Sequence, residues 1–259
     1  MSLADRLAGG GAAFGVTLTI ADPFIAEVIA AQAFDFLMID MEHSPISAFQ
    51  LQTQLIALRT ARATVLVRIP HQEETAIMQA LDLGAQGVVV PHVETGGECA
   101  AVVRAALYPP RGNRGVGPRR AARLTGRDSY FSHANDETFL GAMIESGLAV
   151  DNIDDILAVP GLSGVIIGAA DLAASLGHLN DTQHDDVAKA VDQITQRCAA
   201  AGVPFGMYAA TADAAVQLMS RGARIITIGS DLLFLEQGMS SAAGQMLPVR
   251  DWHIGGPGQ

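Results

Sequence analysis

Leu83-Gly84-Ala85-Gln86-Gly87-Val88-Val89-Val90 reads as the end of a helix, a glycine stop and a short strand without a polar face. The same joint returns at Arg221-Gly222-Ala223, which leads into Ile225-Ile226-Thr227. A glycine just past a helix supplies the left-handed conformation that ends it. A strand that is apolar throughout is covered on both faces, as the strands of parallel sheets are. Helix, glycine, buried strand is therefore the joint of a repeated βαβ chain.

Outward from these two joints, eight short apolar runs fit the same pattern: 14–18, 36–40, 64–68, 87–90, 139–144, 164–167, 205–207 and 225–228. Helical periodicity fills the gaps. In 73–83, Ile77, Met78 and Leu81 form an inward face; in 185–201, Val187, Val191, Ile194 and Cys198 form a stripe. In 211–221, Thr211 is the expected N-cap, Ala212, Ala215, Val216 and Met219 the stripe, and Gly222 the stop. Eight strand–helix units favour a single (β/α)₈ barrel over a doubly wound sheet, and 259 residues match the ~250 such a barrel uses. The expected barrel occupies 1–250, with a frayed tail over 251–259.

Composition narrows the function classes. The chain is 49% hydrophobic and only 5% aromatic, so Ala, Val, Ile and Leu carry the core. A net charge of -11 without a basic run argues against nucleic acid and anionic membranes as partners. No apolar run reaches the ~18 residues of a spanning helix, and the N-terminus does not read as a signal peptide. Cys99 and Cys198 lie in Ala-rich helical stretches outside any CxxC pair, which reads as two reduced thiols in a cytoplasmic protein.

In such a barrel the chemistry gathers where strands end. The second run ends in Asp40-Met41-Glu42-His43, the third at Arg68; the fifth leads to Glu145 and the sixth, through Gly168-Ala169-Ala170, to Asp171. Glu145 and Asp171 could converge on a hard divalent cation, or serve as first-turn acids of helices. His43 reads as a general base or a hydrogen-bonded loop histidine. Arg68 reads as an oxyanion stabiliser or a salt-bridge partner of Asp40 or Glu42. The Gly168-to-Asp171 turn offers backbone N–H groups to a carboxylate, or is a plain tight loop. The Arg-rich loop 111–123 matches no phosphate fingerprint and reads as a loop at the active-site rim or a subunit interface.

The ordered segments Phe34-Asp35-Phe36-Leu37-Met38-Ile39-Asp40-Met41-Glu42-His43-Ser44-Pro45, Val67-Arg68-Ile69-Pro70, Leu81-Asp82-Leu83-Gly84-Ala85-Gln86-Gly87, Tyr108-Pro109-Pro110-Arg111-Gly112-Asn113-Arg114-Gly115-Val116-Gly117, Ile144-Glu145-Ser146 and Ile167-Gly168-Ala169-Ala170-Asp171-Leu172 resemble the HpcH/HpaI-type class II pyruvate aldolases. That family includes 4-hydroxy-2-oxoheptanedioate and 2-dehydro-3-deoxyglucarate aldolases. The resemblance implies a divalent metal, Mg²⁺ or Mn²⁺ with Co²⁺ or Zn²⁺ as further options, held by Glu145 and Asp171. It implies that His43 takes a C3 proton from pyruvate or hydroxypyruvate, that Arg68 stabilises the resulting oxyanion, and that an aldehyde is the acceptor. It further implies that Gly168, Ala170 and Asp171 bind the keto-acid carboxylate and that Asp82 raises the basicity of His43.

Asp82 closes a helix, which places it on the face opposite His43, so the expectation is that it reaches His43 of a neighbouring subunit. The resemblance implies a homohexamer with an exchanged C-terminal helix. Met143, Ala169, Ala173 and Met41 depart from residues common in the family, and with Tyr208 they leave the aldehyde half open. The one lysine, Lys189, sits mid-helix, which argues against a Schiff-base aldolase. An acyl-CoA lyase of the same superfamily, or a non-catalytic small-acid binder, are the competing readings.

Overall fold

The structure is a computed structural model that describes residues 2–250. Eight parallel strands close into one barrel in chain order: β1 (Ala13–Leu18), β2 (Phe36–Asp40), β3 (Thr64–Arg68), β4 (Gly87–Val90), β5 (Phe139–Ile144), β6 (Gly164–Ile167), β7 (Phe205–Tyr208) and β8 (Ile225–Ser230). The expected single (β/α)₈ barrel is borne out. The tail expected at 251–259 lies outside the described residues.

Both joints behave as glycine stops. Gly84 and Gly222 sit at φ +98° and +97°, so a side chain at either would be strained in the turn that feeds the strand. The helix Asp185–Ala201 buries Val187, Val191, Ile194 and Cys198 as expected. The helix Ala212–Ser220 is rotated from the expected phase. Val216 is 65% exposed, and Ala215 is the residue it buries, with Leu218 and Met219 packed behind it. Alanines fit either phase of that short pattern, so the bulky Leu218 decides which face turns inward.

Two apolar cores follow from strand alternation. Outward side chains pack against the helices. Inward ones, among them Phe36, Met38, Leu66, Val89, Phe139, Met143 and Ile225, fill the barrel, and Leu3 from the helix Leu3–Ala8 closes its N-terminal end. That plug is tied to the barrel by the Leu3 N–H, which donates to Thr64 Oγ1 at 3.0 Å. With the interior filled, polar chemistry is confined to the strand ends.

Candidate active site

Register brings the first pair together. Asp40 and Arg68 are partners at the last residues of β2 and β3. Their side chains meet in a bidentate pair, with Nε and Nη2 each donating to a separate carboxylate oxygen at 2.8 Å. Asp40 is buried, and burial alone would raise its pKa. The Arg68 hydrogen bonds and charge, with the Glu42 and His43 N–H groups, outweigh that and hold it below the usual carboxylate value. Asp40 is thus the anchor that aims Arg68, and it fixes the turn that carries Glu42 and His43.

Glu42 points into the same space. Arg68 Nη1 lies 3.1 Å from its Oε2, yet that buried oxygen has no aligned hydrogen bond. His43 is 62% exposed and its Nε2 stands 3.7 Å from Glu42 Oε2, too far for a hydrogen bond and free to reach a substrate.

Glu145 follows β5, and Gly168 follows β6, which pairs with it through Ile144 and Ile167. The two are packed so closely that a Cβ on Gly168 would fall 2.5 Å from Glu145 Oε2. Glycine is the residue that leaves the carboxylate room. Glu145 is buried, and its pKa is raised by that burial and by the charges of Glu42 and Asp171, against the lowering effect of His92. Asp171 lies in the first turn of the helix Ala169–Ser175. That helix begins at Gly168 without a side-chain cap, and its first internal hydrogen bond is from Leu172 to the Gly168 carbonyl. The N–H groups of Ala169, Ala170 and Asp171 precede that bond and point out of the helix start.

His92, which the motifs did not single out, completes the cluster. Its backbone N–H donates to Glu145 Oε1 at 2.6 Å, and its ring lies between Glu145 and Glu42. The signal was present, since Pro91-His92 directly follows the apolar run of β4. The other unforeseen feature is Arg114. It is 2% exposed, stacks on the Tyr108 ring at 4.6 Å and donates to Asp82 Oδ1 at 2.5 Å. The Arg-rich loop therefore places one arginine in the protein interior rather than offering it to a ligand. Asp82 is bound there, away from His43 of its own chain.

Chemically, the strand ends offer a half-buried guanidinium, a solvent-reaching imidazole, a cluster of acids suited to a cation and a helix start suited to a carboxylate. Among the described residues, no helix is long and apolar enough to cross a membrane.

Known proteins share this frame. A hydroxypyruvate/pyruvate aldolase of Deinococcus radiodurans is 40% identical over 92% of this chain and 86% of its own. A 4-hydroxy-2-oxovalerate aldolase of Rhodococcus jostii is 39% identical over 96% of each chain. The crystal structure of a HpcH/HpaI aldolase/citrate lyase family protein from Burkholderia cenocepacia superposes with a TM-score of 0.89 at 35% identity, over 94% of this chain and 98% of that one. The resemblance seen in the motifs is borne out: with the HpcH/HpaI aldolase/citrate lyase profile matching residues 14–237, the chain belongs to that family.

Proposed function

We propose that the protein is a class II aldolase that makes or cleaves 4-hydroxy-2-keto acids, with pyruvate or hydroxypyruvate as the donor and an aldehyde as the acceptor. The observation that carries this reading is the convergence at one barrel mouth of the Asp40-anchored Arg68, His43, the half-buried Glu42 and the buried Glu145. The related aldolases named above support it as carbon–carbon lyase chemistry.

The acids suit a divalent cation. Glu42 Oε2 is buried with no hydrogen bond, and Glu145 is buried beside further negative charge. A cation would offset what Arg68 alone leaves uncompensated. Glu145 and Asp171 are the proposed ligands, and Mg²⁺ or Mn²⁺, then Co²⁺ or Zn²⁺, are the proposed ions. Such a cation supplies Lewis acidity to a keto acid.

The chain's own residues do the rest. The free N–H groups of Ala170 and Asp171, beside the bare Gly168, hold the donor carboxylate at the helix start. His43 Nε2 takes a proton from the donor's C3 and returns it in the cleavage direction. Arg68, fixed in its fork by Asp40, donates to the oxygen on which negative charge develops. The filled barrel beneath them keeps bulk water to one side.

Asp82 is proposed to support His43 from a neighbouring subunit, since in its own chain it is bound to Arg114. A homo-oligomer, proposed as a hexamer, fits the apolar side chains left exposed on three helices: Phe24 and Val28, Phe49 and Ile56, and Leu235 and Met239. The buried, reduced thiols are consistent with a cytoplasmic enzyme. The test is exchange of solvent deuterium into pyruvate C3. Exchange that chelator abolishes and divalent metal restores is expected; no metal-dependent exchange would overturn the reading.

A further inference from the structure

His92 is held in an unusual backbone state. Its φ is +53°, the left-handed region that few residues other than glycine take, Asn, Asp and His more often than the rest. Both backbone groups are tied there. The N–H donates to Glu145 Oε1, and the carbonyl accepts from Gln72 Nε2, which also reaches the Pro91 carbonyl at 3.4 Å. Strain of this kind persists where its surroundings over-determine it, and it clusters at functional sites.

What the strain achieves is the placement of one ring between two acids. Nδ1 lies 3.2 Å from Glu145 Oε1, and Nε2 lies 3.5 Å from Glu42 Oε1. An arginine or lysine would simply set a positive charge between the two carboxylates. An imidazole offers instead one lone pair and one N–H. Two donors on one octahedral ion at about 2.1 Å stand roughly 3 Å apart when adjacent. The 3.2 Å between Nδ1 and Glu145 Oε1 matches that separation. Donor atoms of Glu42, His92 and Glu145 all lie within 4.8 Å of one another.

We infer that His92 is a nitrogen ligand of the divalent cation, binding it through Nδ1 beside Glu145, while Nε2–H donates to Glu42. This rests on the metal-dependent reading above and goes beyond it. The N–H held by a carboxylate fixes the tautomer that leaves Nδ1 free for the metal. A neutral nitrogen in the ligand set shifts preference away from Mg²⁺ and toward Mn²⁺, Co²⁺ and Zn²⁺.

The experiment uses the full chain with Mn²⁺ as the probe and pulsed electron paramagnetic resonance as the readout. The chain carries His178→Asn and His184→Asn, because those two with Asp186 form a separate group with metal-like spacing. One bound Mn²⁺ with the coupling of a directly bonded ¹⁴N is expected. His92→Asn, chosen because Asn tolerates positive φ, should keep the Mn²⁺ and lose the coupling. His43→Asn should keep both. In the same His92→Asn variant, Co²⁺ and Zn²⁺ affinity should fall about tenfold or more, and Mg²⁺ affinity less than threefold. Bound Mn²⁺ without nitrogen coupling, or coupling that survives His92→Asn, overturns the inference and leaves the metal-dependent reading standing. A parent chain that binds no divalent cation overturns both.

Discussion

Gly168→Ala isolates the packing that shapes the acid cluster. The backbone at Gly168 has φ -86° and ψ 81°, so its φ is negative and open to alanine. The effect is therefore steric. The added Cβ would sit 2.5 Å from Glu145 Oε2 and 2.8 Å from Glu145 Cβ, against an ordinary contact of 3.4 Å or more. The carboxylate must yield by about 0.9 Å. Because Glu145 Cβ is crowded as well, rotating the carboxylate alone does not clear the clash, and β5 and β6 must part slightly.

Overpacking of this size costs about 1–3 kcal/mol. Where the fold bears it, the melting temperature falls by roughly 2–4 °C per kcal/mol for a chain of this size. Where the carboxylate bears it, metal affinity falls by about 5- to 150-fold, each 1.4 kcal/mol being tenfold. A misplacement near 1 Å also lowers turnover by about a hundredfold. The assays are Mn²⁺ titration, thermal melts with and without metal, and steady-state cleavage of a 4-hydroxy-2-keto acid. A Gly168→Ala protein within threefold of the parent in metal affinity and turnover, with an unchanged melt, would refute the reasoning.

Three further outcomes are expected. Arg68→Lys keeps the charge but loses the fork onto Asp40, so kcat should drop about 10²- to 10³-fold in the cleavage assay; a drop below tenfold would remove Arg68 from the chemistry. Glu145 has its pKa raised in the fold, so its contribution to stability is full below the ordinary carboxylate value and is lost as pH rises through the raised one. Metal-free Glu145→Gln should accordingly out-melt the metal-free parent at neutral pH, with the gap closing near pH 4, and divalent metal should stabilise the parent alone; parallel melting curves across that range would contradict this. Finally, Asp82→Asn and His43→Asn, each inactive, should regain part of the parent activity when unfolded and refolded together, because a mixed oligomer assembles one intact His43–Asp82 pair; mixtures as inactive as their parts would place both residues' roles within a single chain.

The barrel was legible because eight apolar runs and two repeated glycine joints state it in residues whose hydrophobicity alone carries the message. Its edges were not. β7 continues through Tyr208 and β8 through Gly229 and Ser230, where pairing hydrogen bonds persist after the apolar signal stops. At the site, Asp40 and Arg68 could be found as charges ending buried strands, and the register that pairs them is a property of the closed sheet. His92 escaped because its place depends on a positive φ and on Gln72, Glu42 and Glu145, three residues far away in the chain. Arg114 escaped for a related reason. An arginine in a Gly- and Arg-rich loop reads as solvent-facing until Tyr108, Tyr130 and Asp82 close around it.

The charge balance at the strand ends is what supports the proposed cation site. Asp40 consumes both of its oxygens on Arg68, and so uses up most of the cluster's fixed positive charge. Glu42 receives the remaining guanidinium nitrogen and the edge of His92, with the His43 ring 3.7 Å away. Glu145 receives a backbone N–H and the other edge of the same ring. One imidazole is thus shared by the buried Glu145 and the half-buried Glu42, and Asp171 adds a further negative charge nearby. Burial makes each uncompensated charge costly, while the filled interior and the Gly168 contact prevent the acids from turning away. A divalent ion at the proposed site would remove that cost in one event, and its affinity would then follow from the packing as much as from ligand chemistry. On this account, substitutions that relax the packing around Glu145 weaken metal binding even when every ligand is kept.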